Sequence, residues 1–274
     1  MYHNLKTNVV NLIKKQVEEA RKKYGIVNAI IRNDILKILE EQCTVLYYPL
    51  EDENANGVHV KRYIKGKERH FVFINTSNPL EKQVYTAAHE LGHVWNIDIQ
   101  VNDHLEEPVD PEDIINRFAA ELLMPDWYFA YEIDKKMQEL GIAGKTTLQV
   151  EEYMPLTVYL MDVFMVPYKS IVYRYEELGY IEEKAREILL GLERNQMAVI
   201  EAYIRRGQFV NLNQTNRKKA IGNLDVLLKI AREKQMYSPE KLSAIGRLFE
   251  IEEIDTGTEQ EEEKEKIRIN IPRE

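Results

Sequence analysis

The stretch Thr86-Ala87-Ala88-His89-Glu90-Leu91-Gly92-His93-Val94-Trp95 constrains this chain more than any other. It sets two imidazoles four residues apart, slightly more than one helical turn, so both rings leave one face and can meet a single metal ion. Glu90 stands beside that face. A zinc ion held by two histidines and a carboxylate keeps a fourth position open, and it draws the pKa of a water there towards neutrality. Glu90 is then placed to take the water proton and pass it to a leaving amine. The pattern is H-E-x-x-H, which carries this meaning when it falls within a helix. Val84, Ala87, Ala88, Leu91 and Trp95 recur at helical spacing roughly opposite the histidines, so a helix is predicted from about Leu80. Gly92 in its middle costs about 1 kcal/mol relative to alanine, which points to the close approach of a second helix.

The third ligand comes from elsewhere in the chain. Cys43 is the only cysteine, which excludes both an internal disulfide and a cysteine cage. Residues 109–125 read as a second helix, with Asp110 as N-cap, Pro111 at the first position, Asp113 able to complete a capping box and Pro125 as the stop. Glu112, Asn116, Ala119 and Leu123 share one face of it. Glu112 can therefore reach the metal, and Ala119 can pack on Gly92. Asn116, one turn along, can hydrogen-bond a ligating histidine and fix its tautomer. Asp113 and Glu121 stay open as alternative third ligands.

Hydrophobic residues at 44% and charged residues at 30% of 274 describe a soluble globular chain of more than one module. No apolar run approaches the roughly 20 residues that span a bilayer, and Met1 to Lys6 does not open a signal peptide, so a cytoplasmic location is predicted. A net charge of −9 disfavours a nonspecific nucleic-acid binder and suits a peptide or protein partner. No repeat, P-loop or Gly-rich nucleotide turn is present.

Amphipathic helices are predicted over 4–23 and 28–42. Thr44 to Pro49, Val58 to Ile64 and Arg69 to Asn75 are β-branched or aromatic runs, predicted to form a small antiparallel sheet with the last two as a hairpin. His59 and His70 are expected on the strand surface. An extended substrate could add to the sheet between Tyr63 and Asn75, near Phe71. Beyond the second ligand helix, Asp126 to Leu140 is predicted as a helix capped by Asp126. Residues 155–178 form a helix-turn-helix-like pair whose Lys169 and Arg174 are offset by Glu176 and Glu177, which favours packing over DNA contact. Helical patterns follow over 181–206, 217–236 and from Ser238 to about Glu250. The charged run 257–265 is predicted disordered, with an edge strand after Lys266. The expected layout is 1–140 for the catalytic domain, 141–180 for a closing unit, 181–250 for a helical module and 251–274 for an acidic tail.

Thr86 to Val94, read as TAAHELGHV, with Asn116 to Pro125, read as NRFAAELLMP, resembles the ImmA/IrrE family of metallo-endopeptidases. The resemblance covers about residues 26–180, including the strands of 58–75 and the segment from Val163 through Pro167 to Tyr180. The flanks, 1–25 and 181–274, carry no such signature. It implies an α+β, zincin-like fold followed by a mainly helical C-terminal region. It also implies a gluzincin-like zinc site with His89 and His93 as ligands, Glu90 as base and an acid of the second helix as third ligand. An acidic residue often stands two before the asparagine in that family, whereas this chain has Ile114 there, leaving Glu112 as the matching acid. The implied substrate is a helix-turn-helix repressor of a mobile element or stress response. A noncatalytic regulator that sequesters a DNA-binding partner is the alternative.

Overall fold

Residues 44–75 build a sheet, and the helix that follows lies across it. The computed structural model describes residues 5–27, 30–52, 55–145, 147–222, 224–249 and 251. Strands β1 (Thr44–Tyr48), β2 (Gly57–Ile64) and β3 (Lys67–Asn75) are the β-branched and aromatic runs of the sequence. β2 and β3 form an antiparallel hairpin closed by two residues, Lys65 at φ 52° and Gly66 at φ 74°. Positive φ at both positions is the type I′ geometry that matches strand twist.

The sheet is mixed rather than antiparallel. β1 pairs in parallel with β3, from Thr44 opposite Phe71 to Tyr48 opposite Asn75, and a two-residue β4 (Ala220–Ile221) adds antiparallel to β1. The order β2-β3-β1-β4 buries β3 inside the sheet and leaves β2 at one edge. A substrate strand therefore cannot add near Phe71, as the sequence led us to expect. Residue alternation determines which stretches are strands; their order is set by pairing between distant segments, which no local pattern encodes.

Helix α1 (Thr7–Lys23) buries Val9, Ile13, Val17 and Ala20, and α2 (Asp34–Gln42) buries Ile35 and Leu39. The long helix α3 (Leu80–Val94) packs on α2 and on the β2–β3 hairpin. After the short α4 (Ile97–Asn102) comes α5 (Pro111–Leu123), started by Asp110, whose carboxylate accepts the Glu112 amide at 2.9 Å, and by Pro111 at its first position. α5 crosses α3 at Gly92. A Cβ there would stand 3.1 Å from both Ile115 Cδ1 and Phe118 Cδ1, so these two side chains, not Ala119, occupy the space that glycine leaves.

Helices α6 (Asp126–Glu139), α7 (Val150–Phe164) and α8 (Tyr168–Glu177) follow, with α7 packed on both α6 and α8. α7 starts five residues before Pro155, where Glu152 accepts the Gln149 amide at 3.0 Å. Asp126 is the first residue of α6 rather than its cap, and its carboxylate pairs with Arg174 and Lys14. Arg174 is fully buried. It donates to both carboxylate oxygens of Glu121 at 2.8 and 3.0 Å, to Glu177 at 2.9 Å and to the Met124 carbonyl, while Arg117 bonds the same Glu121. The charge of Arg174 thus ties α8 to α5.

The pattern over 181–206 is two helices, α9 (Glu183–Asn195) and α10 (Met197–Arg206), broken at Gln196 with φ −142° and ψ 42°. The stretch from Arg217 to Gly222 is not helical: Arg217 stands at φ 45°, and Ala220–Ile221 form the short strand β4. Its groups satisfy the sheet edge: the Arg217 amide donates to the Thr76 carbonyl, the Thr76 hydroxyl to the Lys218 carbonyl, and the Gly222 amide to the Val45 carbonyl. One compact unit ends at Gly222. The second contains α11 (Leu224–Glu233) and α12 (Pro239–Leu248), the latter capped by Ser238. The predicted tail beyond 251 and its edge strand lie outside the described residues.

Candidate metal centre

One turn of α3 carries His89 and His93 on the same face, and the first turn of α5 brings Glu112 opposite them. His89 Nε2 lies 3.3 Å from Glu112 Oε2, and His93 Nε2 lies 3.4 Å from Glu112 Oε1. The ligand atoms of the three residues fall within 4.8 Å of one another, and among the described residues no other trio of His, Cys, Asp or Glu does so. Two imidazole nitrogens and a carboxylate within 4.8 Å of one another are a donor set that zinc takes, and they are close enough to share one ion.

The alternative acids sit elsewhere. Glu121 is taken up by Arg174 and Arg117. Asp113 is buried and lines cavities shared with the α1 residues Val9 and Val10. Asn116 Oδ1 is 3.1 Å from His89 Nδ1. With Nδ1–H donating to that amide oxygen, the lone pair of His89 is on Nε2, facing Glu112 and His93. Tyr85 in turn donates to the Asn116 carbonyl at 3.1 Å.

Glu90 is 6% exposed, and its pKa is pushed up to about 7 by burial and then by the nearby Glu112 charge. That value suits a group that must both take and return a proton near neutral pH. Burial, and next the His93 ring, hold His89 below the ordinary histidine range, which favours the neutral form a metal requires.

Gly57, at the head of β2, went unremarked in the sequence. A Cβ on it would come 2.5 Å from Thr86 Cγ2, 2.9 Å from the Phe73 carbonyl and 3.0 Å from Glu90 Oε1. Only glycine lets the edge strand pass this close to the Glu90 carboxylate. His59 and His70, expected on the strand surface, are half-buried and stacked beside His93. His59 Nε2 is 2.9 Å from His70 Nδ1, the two rings are stacked, and His59 stacks on His93 with centroids 6.1 Å apart. Burial, then His70 and His93, depress His59 to about 4. A histidine in a strand gives no local sign of such a role, because its neighbours come from a different strand and a helix.

The Asn75 amide donates to the Asn56 carbonyl at 2.9 Å, which sets the phase of the β2–β3 ladder. By alternation, Gly57, His59, Lys61 and Tyr63 turn their N–H and C=O groups to the free edge. A cleft of about 610 Å³ opens at Gly57, the head of this strand, lined also by Lys82, Tyr85, His89, Glu90, Glu112 and Tyr173.

The profile of the IrrE N-terminal-like domain (Peptidase_M78) matches residues 40–176, half of the chain. The chain belongs to the ImmA/IrrE family. No curated protein and no solved structure matches it. The ImmA/IrrE match runs from the end of α2 into α8, so it takes in the three long strands, α3 and α5 and leaves out α9, α10, β4 and everything after. The α+β architecture is compatible with a zincin-like, metallopeptidase-type domain. Among the described residues no helix is long and apolar enough to cross a membrane.

Proposed function

We propose that this ImmA/IrrE protein is a zinc-dependent endopeptidase that cleaves a regulatory protein, a helix-turn-helix repressor being the substrate the resemblance implies. The observation that carries it is the convergence of His89, His93 and Glu112, with ligand atoms within 4.8 Å of one another, beside the buried Glu90. Zinc held by those three groups supplies a Lewis acid that polarises a carbonyl and activates water. Glu90 accepts the proton of the attacking water and delivers it to the amide nitrogen as the C–N bond breaks, so the base is returned unchanged. Asn116 keeps His89 in its ligating tautomer, and Gly57 admits the substrate edge to Glu90. The outward groups of β2 hold an extended segment by strand addition.

The test is incubation of the zinc-loaded chain with candidate helix-turn-helix proteins, with and without a chelator, alongside Glu90→Gln. The expected outcome is a new fragment that disappears with chelation and with Glu90→Gln, the variant retaining its zinc. A stable, uncut complex with every partner points to sequestration instead, and full cleavage by Glu90→Gln refutes the role of Glu90.

A further inference from the structure

Residues 61–69 carry Lys61, Arg62, Lys65, Lys67 and Arg69 against a single acid, Glu68, in a chain whose overall charge is −9. Every residue of this stretch is exposed. It is the outer half of the β2–β3 hairpin, continuous with the strand that starts at Gly57 against Glu90. Glu68 is already engaged: it accepts from the Tyr63 hydroxyl at 2.9 Å and lies 3.0 Å from His70 Nε2 and 3.7 Å from Lys61 Nζ. Among the described residues, Arg62, Lys65, Lys67 and Arg69 make no ion pair. Arg62 and Arg69 stand directly opposite each other in the ladder. Like charges so placed repel each other until an anion comes between them.

Charge on an edge strand also discourages aggregation, which accounts for Lys61 and Arg62 on β2. It gives no reason for Arg69, because β3 lies inside the sheet. Resting on the proteolytic role proposed above, we infer that the basic hairpin selects substrates with acidic side chains on the N-terminal side of the scissile bond. A segment pairing antiparallel to β2, the more stable arrangement, runs from Tyr63 towards Gly57 and meets Glu90 last. Residues opposite Lys61 and Arg62 therefore precede the cleavage point by about four or five positions, roughly 13–17 Å along the strand. Their side chains alternate, so one meets Lys61 on the metal-facing side and the next meets Arg62 with Arg69 beside it. Nucleic acid matches the charge but has no use for the strand edge, whose outward N–H and C=O groups fit another polypeptide.

The probes are a labelled extended peptide with a Glu-rich N-terminal half, its Gln counterpart and a labelled single-stranded oligonucleotide. Each is titrated onto zinc-loaded, full-length Glu90→Gln protein. The Glu peptide binds roughly tenfold more tightly than the Gln peptide, as a few exposed ion pairs together provide. The advantage shrinks at high salt and is lost in Arg62→Gln/Arg69→Gln, whose side chains are exposed and outside the core. Equal binding of the two peptides, an advantage that survives the double substitution, or tighter binding of the oligonucleotide overturns the inference. Wild-type protein is run in parallel on a mixed peptide library read by mass spectrometry. Cleavage without acidic preference overturns charge selection and leaves the protease standing, whereas acid-selective binding with no cleavage supports the selection and removes the protease.

Discussion

Taking Glu90 out of water raises its pKa to about 7, and the sign of the consequence for stability follows. A carboxyl group raised on folding contributes fully below its unfolded pKa, near 4.3, and that contribution is lost as pH rises through 7. Metal-free wild type should therefore be less stable than metal-free Glu90→Gln at pH 8, by on the order of 3 kcal/mol, with the difference closing near pH 4. Urea unfolding at the two pH values checks this, and a pH-independent difference contradicts it. Gly57→Ala acts on the same carboxylate from the other side. The new methyl cannot displace the Phe73 backbone carbonyl cheaply, so the edge strand shifts relative to Glu90. Cleavage should fall by about 100-fold, the cost of a misplacement near 1 Å, while zinc affinity hardly changes. At this scale His89, Glu90 and His93 were legible because one helix carries all three. Glu112 and Asn116 were legible as candidates because a second helix carries both. Gly57, His59 and His70 were not, since their contacts join residues distant in the chain.

Between elements, the packing of α3 on α5 was foreshadowed by Gly92, a glycine whose cost in a helix interior needs a compensating approach. The identity of the approaching residues, Ile115 and Phe118, was not, because helix periodicity defines a face and leaves the crossing point undefined. The caps at Asp110 and Ser238 followed from local chemistry. By contrast, β4 is two residues whose only reason to be extended is the open edge of β1, so the helical pattern over 217–222 misled. The ion cluster of Arg174, Arg117, Glu121 and Glu177 joins α5 to α8 in the same nonlocal way. Arg174→Ala leaves two acids buried without their main partner and should cost roughly 3–5 kcal/mol, read as a large fall in thermal unfolding temperature. A change of under 1 kcal/mol would show that the cluster is not what holds α8 in place.

Across the molecule, the segment that matches the ImmA/IrrE family is the one whose motifs could be read, and it contains the whole candidate centre. The later helices carry amphipathic patterns without chemistry, which is why the sequence yields their presence and not their role. The family, the α+β class and the helix-borne histidines emerge at different scales, and the proposed function joins them through one claim: His89, His93 and Glu112 hold a single metal ion. Elemental analysis of the purified full-length chain, after gel filtration in zinc-containing buffer, measures this most directly. One zinc per chain is predicted for wild type and for Asp113→Ala, with most of it lost in Glu112→Ala. A zinc-free wild type, or Glu112→Ala retaining a full equivalent, would contradict the account.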